Sequence, residues 1–242
     1  MSTILIMKAS IVIPAFNEEK NISSAIKAAL AQDYSDFEVI VVNNASTDNT
    51  AKIASQFPVT LVSESRKGLL YAREKGRQTA TGDIIANIDA DCLPSPHWLS
   101  TGIPLFKNQN VVAVSGPYDY YDGGKVFRAI SLALQKTVFT LVNKLFVSLR
   151  RGGTIIGGNT LLRAAALEKA GGYDTSILFY GEDTDTAQRV SKYGKIIFNP
   201  RLTMPTSARR FKAEGTLKIT LLYFLYFFRI TFLHLFPKKK KS

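Results

Sequence analysis

Asp89-Ala90-Asp91 closes the apolar run Ile84-Ile85-Ala86-Asn87-Ile88, at the point where a buried strand should end. Two carboxylates there can hold a divalent cation against a diphosphate. Their hard oxygens suit Mg²⁺ or Mn²⁺, and Mg²⁺ in particular is usually held by one or two carboxylates together with the phosphates of a bound molecule. A solvated loop would carry the same three residues, so the surrounding elements must decide.

Those elements alternate between strand and helix, which predicts an α/β fold with a doubly wound, mostly parallel sheet and helices on both faces. Residues 10–14 read as the first strand, 38–42 as the second, 60–62 as a short third, 84–88 as the fourth and 111–114 as the fifth. On this reading the sheet is laid down in the first half of the chain. Ile22, Ala25, Ile26, Ala29 and Leu30 recur at helical spacing. Ser46-Thr47-Asp48 opens a helix ending near Phe57-Pro58, residues 69–80 form another, and a further helix begins near Pro96. Ligands of open α/β sheets bind beyond the carboxyl ends of the strands. Three polar loops lie at such ends: Ala15-Phe16-Asn17-Glu18, Asn43 to Asp48, and Asp89 to Asp91. No G-x-G-x-x-G follows the first strand and no G-x-x-x-x-G-K-[ST] occurs, so a phosphate would be met by a metal and by basic groups such as Arg66, Lys67 and Arg73.

The chain has 242 residues, 46% of them hydrophobic, and a formal net charge of +12. That is enough to bury a full core and excludes a disordered chain. The charge favours an anionic partner: nucleic acid, a nucleotide or an anionic membrane surface. The single cysteine, Cys92, excludes an intramolecular disulfide and reads as buried filler. The apolar stretch within residues 1–10 is too short for a signal-peptide core, so the chain is expected to stay in the cytosol.

Ser10 to Glu18, Val39 to Thr50 and Gly82 to Asp91 together resemble the family 2 glycosyltransferases, and the resemblance covers roughly residues 8–205. It implies a GT-A fold and transfer of a sugar from a nucleotide diphosphate, with inversion at the anomeric carbon. Pro14, Ala15 and Asn17 would then line the base and ribose, and Glu18 would brace their loop. Where the family usually has an Asp that accepts a hydrogen bond from the base, this chain has Asn43, with Asn44 beside it. An amide presents both donor and acceptor faces, which leaves uracil and guanine both open. Asp48 would cap its helix. Gly68 and Gly82 would serve turns, and Arg73 would reach diphosphate or ribose. Asp91 looks like the direct metal ligand, and Asp89 like a ribose contact or second metal ligand. Gly157-Gly158-Asn159 resembles the glycine segment near the donor sugar, where missing side chains permit close approach; a simple turn reads the same way. Gly181-Glu182-Asp183-Thr184-Asp185 resembles the motif that supplies the catalytic base, with Asp183 first and Glu182 second in that role, although acids at a helix start also complement its dipole. The acidic motif favours a hydroxyl acceptor, because an ionised polyprenyl phosphate would need no strong base.

Two further stretches concern location. Residues 126–149 are apolar, with Arg128, Lys136 and Lys144 spaced along them and Arg150-Arg151 following: a core helix, or one lying on a membrane. Residues 217–236 have the length of a bilayer span, but Lys218, Arg229 and His234 interrupt them. An interfacial helix explains them at lower cost, and Lys238 to Lys241 add attraction to anionic lipids. The sequence therefore predicts a catalytic domain over residues 1–212 and a membrane-attachment segment over 213–242, peripheral or monotopic at the cytoplasmic face. The acceptor would be a hydroxyl, a lipid-linked one among the candidates, and no nucleic-acid partner is expected, since the charge gathers near the tail and no reading motif is present. A polyprenyl-phosphate glycosyltransferase and a non-catalytic sugar- or lipid-binding relative are the alternatives.

Overall fold

A strand buried on both faces needs apolar residues at every position rather than at alternate ones. β1 (Ala9–Ala15) is buried throughout and is an inner strand of a seven-stranded sheet, third from one edge. The computed structural model describes residues 7–148, 152–177 and 180–235. Arg150-Arg151 and the run Lys238 to Lys241 lie outside these residues. With β2 (Phe37–Asn43), β3 (Thr60–Ser63), β4 (Ile84–Ile88), β5 (Val111–Ser115), β7 (Asn159–Arg163) and β8 (Lys195–Phe198), the strand order is β3-β2-β1-β4-β7-β5-β8. β1, β2, β3 and β4 run parallel, as do β5 and β8, and β7 is antiparallel to both its neighbours.

The pleat divides the core in two. Ile11, Ile13, Val39 and Val41 face one side, packing with Ile22 and Ile26 of α1 (Ile22–Leu30) and with Trp98 and Phe106; Val12, Ile40 and Val42 face the other, against Leu70 and Ala72 of α3 (Leu69–Thr79). On that side a Cβ on Gly76 would overlap Val12, so α3 can sit this close to the sheet only with glycine there. α2 (Thr50–Ala54) is a single turn, shorter than the helix expected from Ser46 to near Phe57, and α4 (Trp98–Gly102), expected to begin near Pro96, is a single turn as well.

The expectation that the first half supplies the whole sheet is corrected. β7 and β8 come from the second half, and β7 reverses direction because the Gly157-Gly158 turn leads it in beside β4, with Ile88 paired to Asn159. β7 thus begins at the edge where the parallel strands end. β6 (Tyr118–Tyr120) and β9 (Met204–Thr206) form a separate two-stranded sheet beside it. A continuous helix, Lys125–Ser148, follows β6; it consists of α5 (Lys125–Leu134), one π turn (Gln135–Phe139) and α6 (Thr140–Ser148). After β7 come α7 (Ala164–Lys169) and α8 (Glu182–Val190), and after β9 the chain closes with α9 (Arg209–Glu214) and α10 (Thr216–Leu235).

Asn159 pins this edge. Fully buried, it accepts from Trp98 Nε1 at 2.8 Å and donates to the carbonyls of Leu202 at 2.7 Å and Pro117 at 3.2 Å. Asn159→Ala strands three buried polar groups, and chemical denaturation should read a loss of about 2–4 kcal/mol. A loss below about 0.5 kcal/mol would mean that this network does not hold the edge.

Candidate active site

The loops after β1, β2 and β4 and the turn before β7 share one sheet edge, because β1 pairs Ala15 with Asn43 and β4 pairs Ile88 with Asn159. Among the described residues, three other than glycine adopt the left-handed backbone with φ of 54°: Asn17 after β1, Ala45 after β2 and Tyr180 before α8. Such conformations cost roughly 1 kcal/mol or more each and cluster where geometry is functionally constrained.

Asp89 and Asp183 are joined through one side chain. Arg73 projects from α3 with only 3% of its surface exposed, and donates to Asp89 Oδ1 and to Asp183 Oδ1, each at 3.3 Å. Its Nε is buried without a partner. Burial opposes the guanidinium charge, but Asp89, Asp183 and Glu182 more than offset this and raise its pKa above the usual value. Asp89 Oδ2 accepts from the Tyr118 hydroxyl at 2.9 Å. That hydroxyl stays protonated, since burial and Asp89 raise its pKa well above the ordinary tyrosine value. Asp183 Oδ2 accepts from Gly157 N at 2.8 Å. A Cβ on Gly157 would overlap Asp183 and Arg73, and one on Gly158 would overlap the Asp89 carboxylate and the Tyr118 hydroxyl. The two glycines are thus required by close approach and are more than a turn.

Burial, and then Asp183 beside it, push Glu182 up to about 7. Asp183 is also raised, by burial working against Arg73. Asp91 is pushed up to about 6 by burial and by the neighbouring Asp89, with Arg209 opposing. Arg209 Nε lies 3.0 Å from Asp91 Oδ2, while its terminal nitrogens pair with Glu18, one of them at 2.9 Å. Thr206 Oγ1 donates to Asp91 Oδ1 at 3.4 Å. Ligand atoms of Asp89, Asp91 and Cys92 fall within 4.8 Å of one another. The Cys92 thiol is buried, with its pKa raised well above the usual value by burial, so it remains a neutral filler. The two carboxylates are hard donors, and burial and the neighbouring Asp89 disfavour ionisation of Asp91, which fits a hard divalent cation completed by phosphate or water oxygens.

The remaining loop residues divide. Pro14 and Ala15 are buried at the end of β1, where Ala15 offers its carbonyl to Asn44 N at 2.8 Å. Asn17 is exposed and its side-chain oxygen accepts from Thr47 N at 2.8 Å. Asn43 stands beside it at the end of β2. Asn44 is buried, donating to the Glu64 and Arg66 carbonyls and accepting from Gly68 N, so it braces the loop beneath Asn43 instead of facing the cleft. Asp48 accepts from Thr50 N at 2.9 Å and so caps α2. Arg66, Lys67 and Arg73 were expected to meet a phosphate and are engaged elsewhere. Arg66 forms a two-point pair with Glu64, Lys67 lies 5.3 Å from the Phe16 ring centre, and Arg73 is enclosed by carboxylates. Arg209 reaches Asp91 as Arg73 reaches Asp89, while its neighbour Arg210 stacks over Tyr180 at 4.6 Å. Tyr118 and Thr206 come from β6 and β9, and no local pattern marked them.

Because folded Glu182 binds its proton more tightly than an ordinary glutamate, its contribution to stability is full below pH 4.5 and lost as pH rises to about 7. Glu182→Gln should therefore flatten the unfolding free energy across that window and stabilise the metal-free protein at pH 8 by about 2 kcal/mol. An unchanged pH profile by urea denaturation would place that group in a wetter setting than described.

The family model for glycosyl transferase family 2 matches residues 10–171. Glycosyltransferase AglE of Haloferax volcanii is 35% identical over 125 residues, covering 48% of this chain and 41% of that protein. Dolichol-phosphate mannosyltransferase of Pyrococcus furiosus is 33% identical over 128 residues, covering 50% of this chain and 35% of that protein. The chain thus spans less than half the length of these curated relatives. Among solved structures, the mannosyltransferase PcManGT from Pyrobaculum calidifontis, in complex with GDP-Man and Mn²⁺, shares the fold with a TM-score of 0.69 at 24% identity, covering 92% of this chain and 64% of that one. With its β1, β2 and β4 loops, its Asp89-Ala90-Asp91 turn and its Gly157-Gly158 segment all inside the matched region, the chain belongs to glycosyl transferase family 2.

Proposed function

We propose that this protein is a metal-dependent, inverting glycosyltransferase that moves a sugar from a UDP- or GDP-linked donor to a hydroxyl acceptor, lipid-linked, at the cytoplasmic face of a membrane. One observation carries the reading: the Asp89-Asp91 pair and Asp183 converge on one strand edge and are tied together by the buried Arg73. Asp91, with Asp89, would hold Mg²⁺ or Mn²⁺. When bound, such an ion offsets the charge gathering on the departing diphosphate.

The chain's own residues do the rest. Pro14, Ala15 and Asn17 wall the nucleoside pocket, Glu18 braces that wall, and Asn43 offers its amide to the base. Gly157 and Gly158 let the donor sugar approach the backbone. Asp183 takes the proton of the acceptor hydroxyl as its oxygen bonds to the anomeric carbon, and the bond from that carbon to the diphosphate breaks on the opposite face. Arg73 and Gly157 N hold Asp183 in line for this step, and Glu182 is the second candidate for the base, with a pKa near working pH. Residues 1–212 form the catalytic unit, and 213–242 attach it to the membrane.

A second reading, an ionised lipid phosphate as acceptor, is favoured by the likeness to dolichol-phosphate mannosyltransferase. The two readings separate in one series of experiments. With a UDP- and GDP-sugar panel plus Mn²⁺, one donor should stabilise the protein by about 2.7 kcal/mol at roughly a hundredfold excess over Kd, and Asp91→Asn should abolish the shift. Asp183→Asn should keep donor binding and lower kcat by about 10²–10⁴. Turnover within about threefold of wild type in Asp183→Asn would favour the phosphate acceptor, since an ionised oxygen needs no base. No metal-dependent shift with any donor would remove the enzyme reading.

A further inference from the structure

The helix Lys125–Ser148 is long and apolar enough to cross a membrane by length and composition, but its attachments run along its whole length. Arg128 pairs with Asp119 at 2.6 Å, Gln135 bonds the backbone of Tyr118 at both ends of its amide, and Asn143 donates to Ile196 O and accepts from Thr154 N. These anchors span fifteen residues, about 22 Å of helix, on one face. The helix therefore lies flat on the catalytic domain and cannot thread a bilayer. Its other face is an unpartnered stripe, Val126, Ile130, Leu134, Val138, Leu141 and Leu145, each more than two-fifths exposed.

α10 repeats the design. Tyr223, Tyr226 and Ile230 pack on Tyr180 and Gly181, while Leu217, Leu221, Phe224, Leu225 and Phe228 are exposed. The two helices meet where the Phe146 and Phe227 rings lie 5.7 Å apart. The charge on both has one sign. Lys125, Arg128, Lys136 and Lys144 lie on the first helix and Lys218 and Arg229 on the second, with no Asp or Glu in either.

We propose that helix Lys125–Ser148 and α10 form a single platform that lies in the headgroup region of an anionic bilayer, with the apolar stripes inserted and the lysines at the phosphates. Paired stripes of this length, on helices whose own charges are all cationic, complement an anionic lipid surface on both counts, with Arg128 paired to Asp119 and Lys218 to Glu214 at the margins. A second copy of the chain would bring like charge against like. The inference extends the membrane attachment proposed for residues 213–242 to a second helix, and stands apart from the sugar chemistry.

The test is co-sedimentation of the full chain with phosphatidylcholine vesicles containing 30% phosphatidylglycerol or none, at roughly 50 and 300 mM salt. Wild type should bind the anionic vesicles, less so at high salt. Ile130→Ser/Leu134→Ser/Leu141→Ser should lower binding by about tenfold or more while its melting temperature and donor-induced shift stay those of wild type. Should that variant unfold, Lys125→Gln/Lys136→Gln/Lys144→Gln carries the test, with a loss of about tenfold on anionic vesicles. A folded variant that binds as wild type does, or wild type that binds neither vesicle, overturns the platform. So does a wild-type dimer by light scattering that the apolar substitutions dissociate, which would make a second copy the occupant. The donor shift, read in the same samples, separates failure of the platform from failure of the glycosyltransferase reading.

Discussion

Arg73 lies at the meeting point of α3, the end of β4 and the start of α8, and the separation of the Asp89 and Asp183 carboxylates is set by its width. A guanidinium can donate to two acids in one plane, which a lysine ammonium does only as a point charge. Its burial makes the arrangement all-or-none. Removing one partner of a buried pair leaves an uncompensated charge and costs about 3–5 kcal/mol, so Asp89 and Asp183 are held by what their loss would cost as much as by their attraction. The backbone must then come close enough to fill the space beside the guanidinium, and only glycine at 157 and 158 permits this.

The same edge carries an imbalance of charge. Glu18, Asp89, Asp91, Glu182 and Asp183 gather around two guanidiniums, those of Arg73 and Arg209. The upward shifts at Asp91, Glu182 and Asp183 are the signature of that excess, added to burial. A cation would relieve it where the acids crowd most, at Asp89 and Asp91. Arg209 relieves part of it now, and it does so from the segment that leads directly into α10.

The sequence made β1, β2, β4 and β5 legible because strands buried in the sheet leave unbroken apolar runs, whereas β3, a half-exposed edge strand, followed from its place between two helices. β7 was harder to see: Asn159–Arg163 is five residues long, and its partners were set by a glycine turn rather than by its own pattern. Asp89, Asp91 and Asp183 stood out as acids at element ends, whereas Arg73 looked like one of several helix-surface cations until its burial was known. Asn43 and Asn44 are adjacent and chemically identical, and only the fold shows that Asn44 is the buried brace while Asn43 stays half-buried at the end of β2. The Glu18–Arg209 pair joins residues 191 positions apart, a contact no local spacing encodes. For residues 125–148, apolar periodicity fits a core helix and a membrane helix equally. The answer lies in which face Arg128, Gln135 and Asn143 occupy.

α10 also reaches the turn that carries Glu182 and Asp183. Tyr180 and Gly181 are consecutive left-handed residues, with φ of 54° and 86°, and they present Glu182 and Asp183 at the first turn of α8. A tyrosine held in that region is strained and persists only where its surroundings over-determine it. Here the surroundings are largely α10: the Tyr226 ring stacks on Tyr180 at 5.1 Å, Tyr223 meets it edge-on at 5.7 Å, and Ile230 closes the space over Gly181. Arg210, between them, lies over both Tyr180 and Tyr223. The turn that positions the acids is therefore clamped by the helix whose opposite face carries the apolar stripe, so the acidic edge and α10 share one packed interface. Any force that moves α10 relative to the sheet acts first on Tyr180 and Gly181, and through them on the two residues whose carboxylates border Arg73.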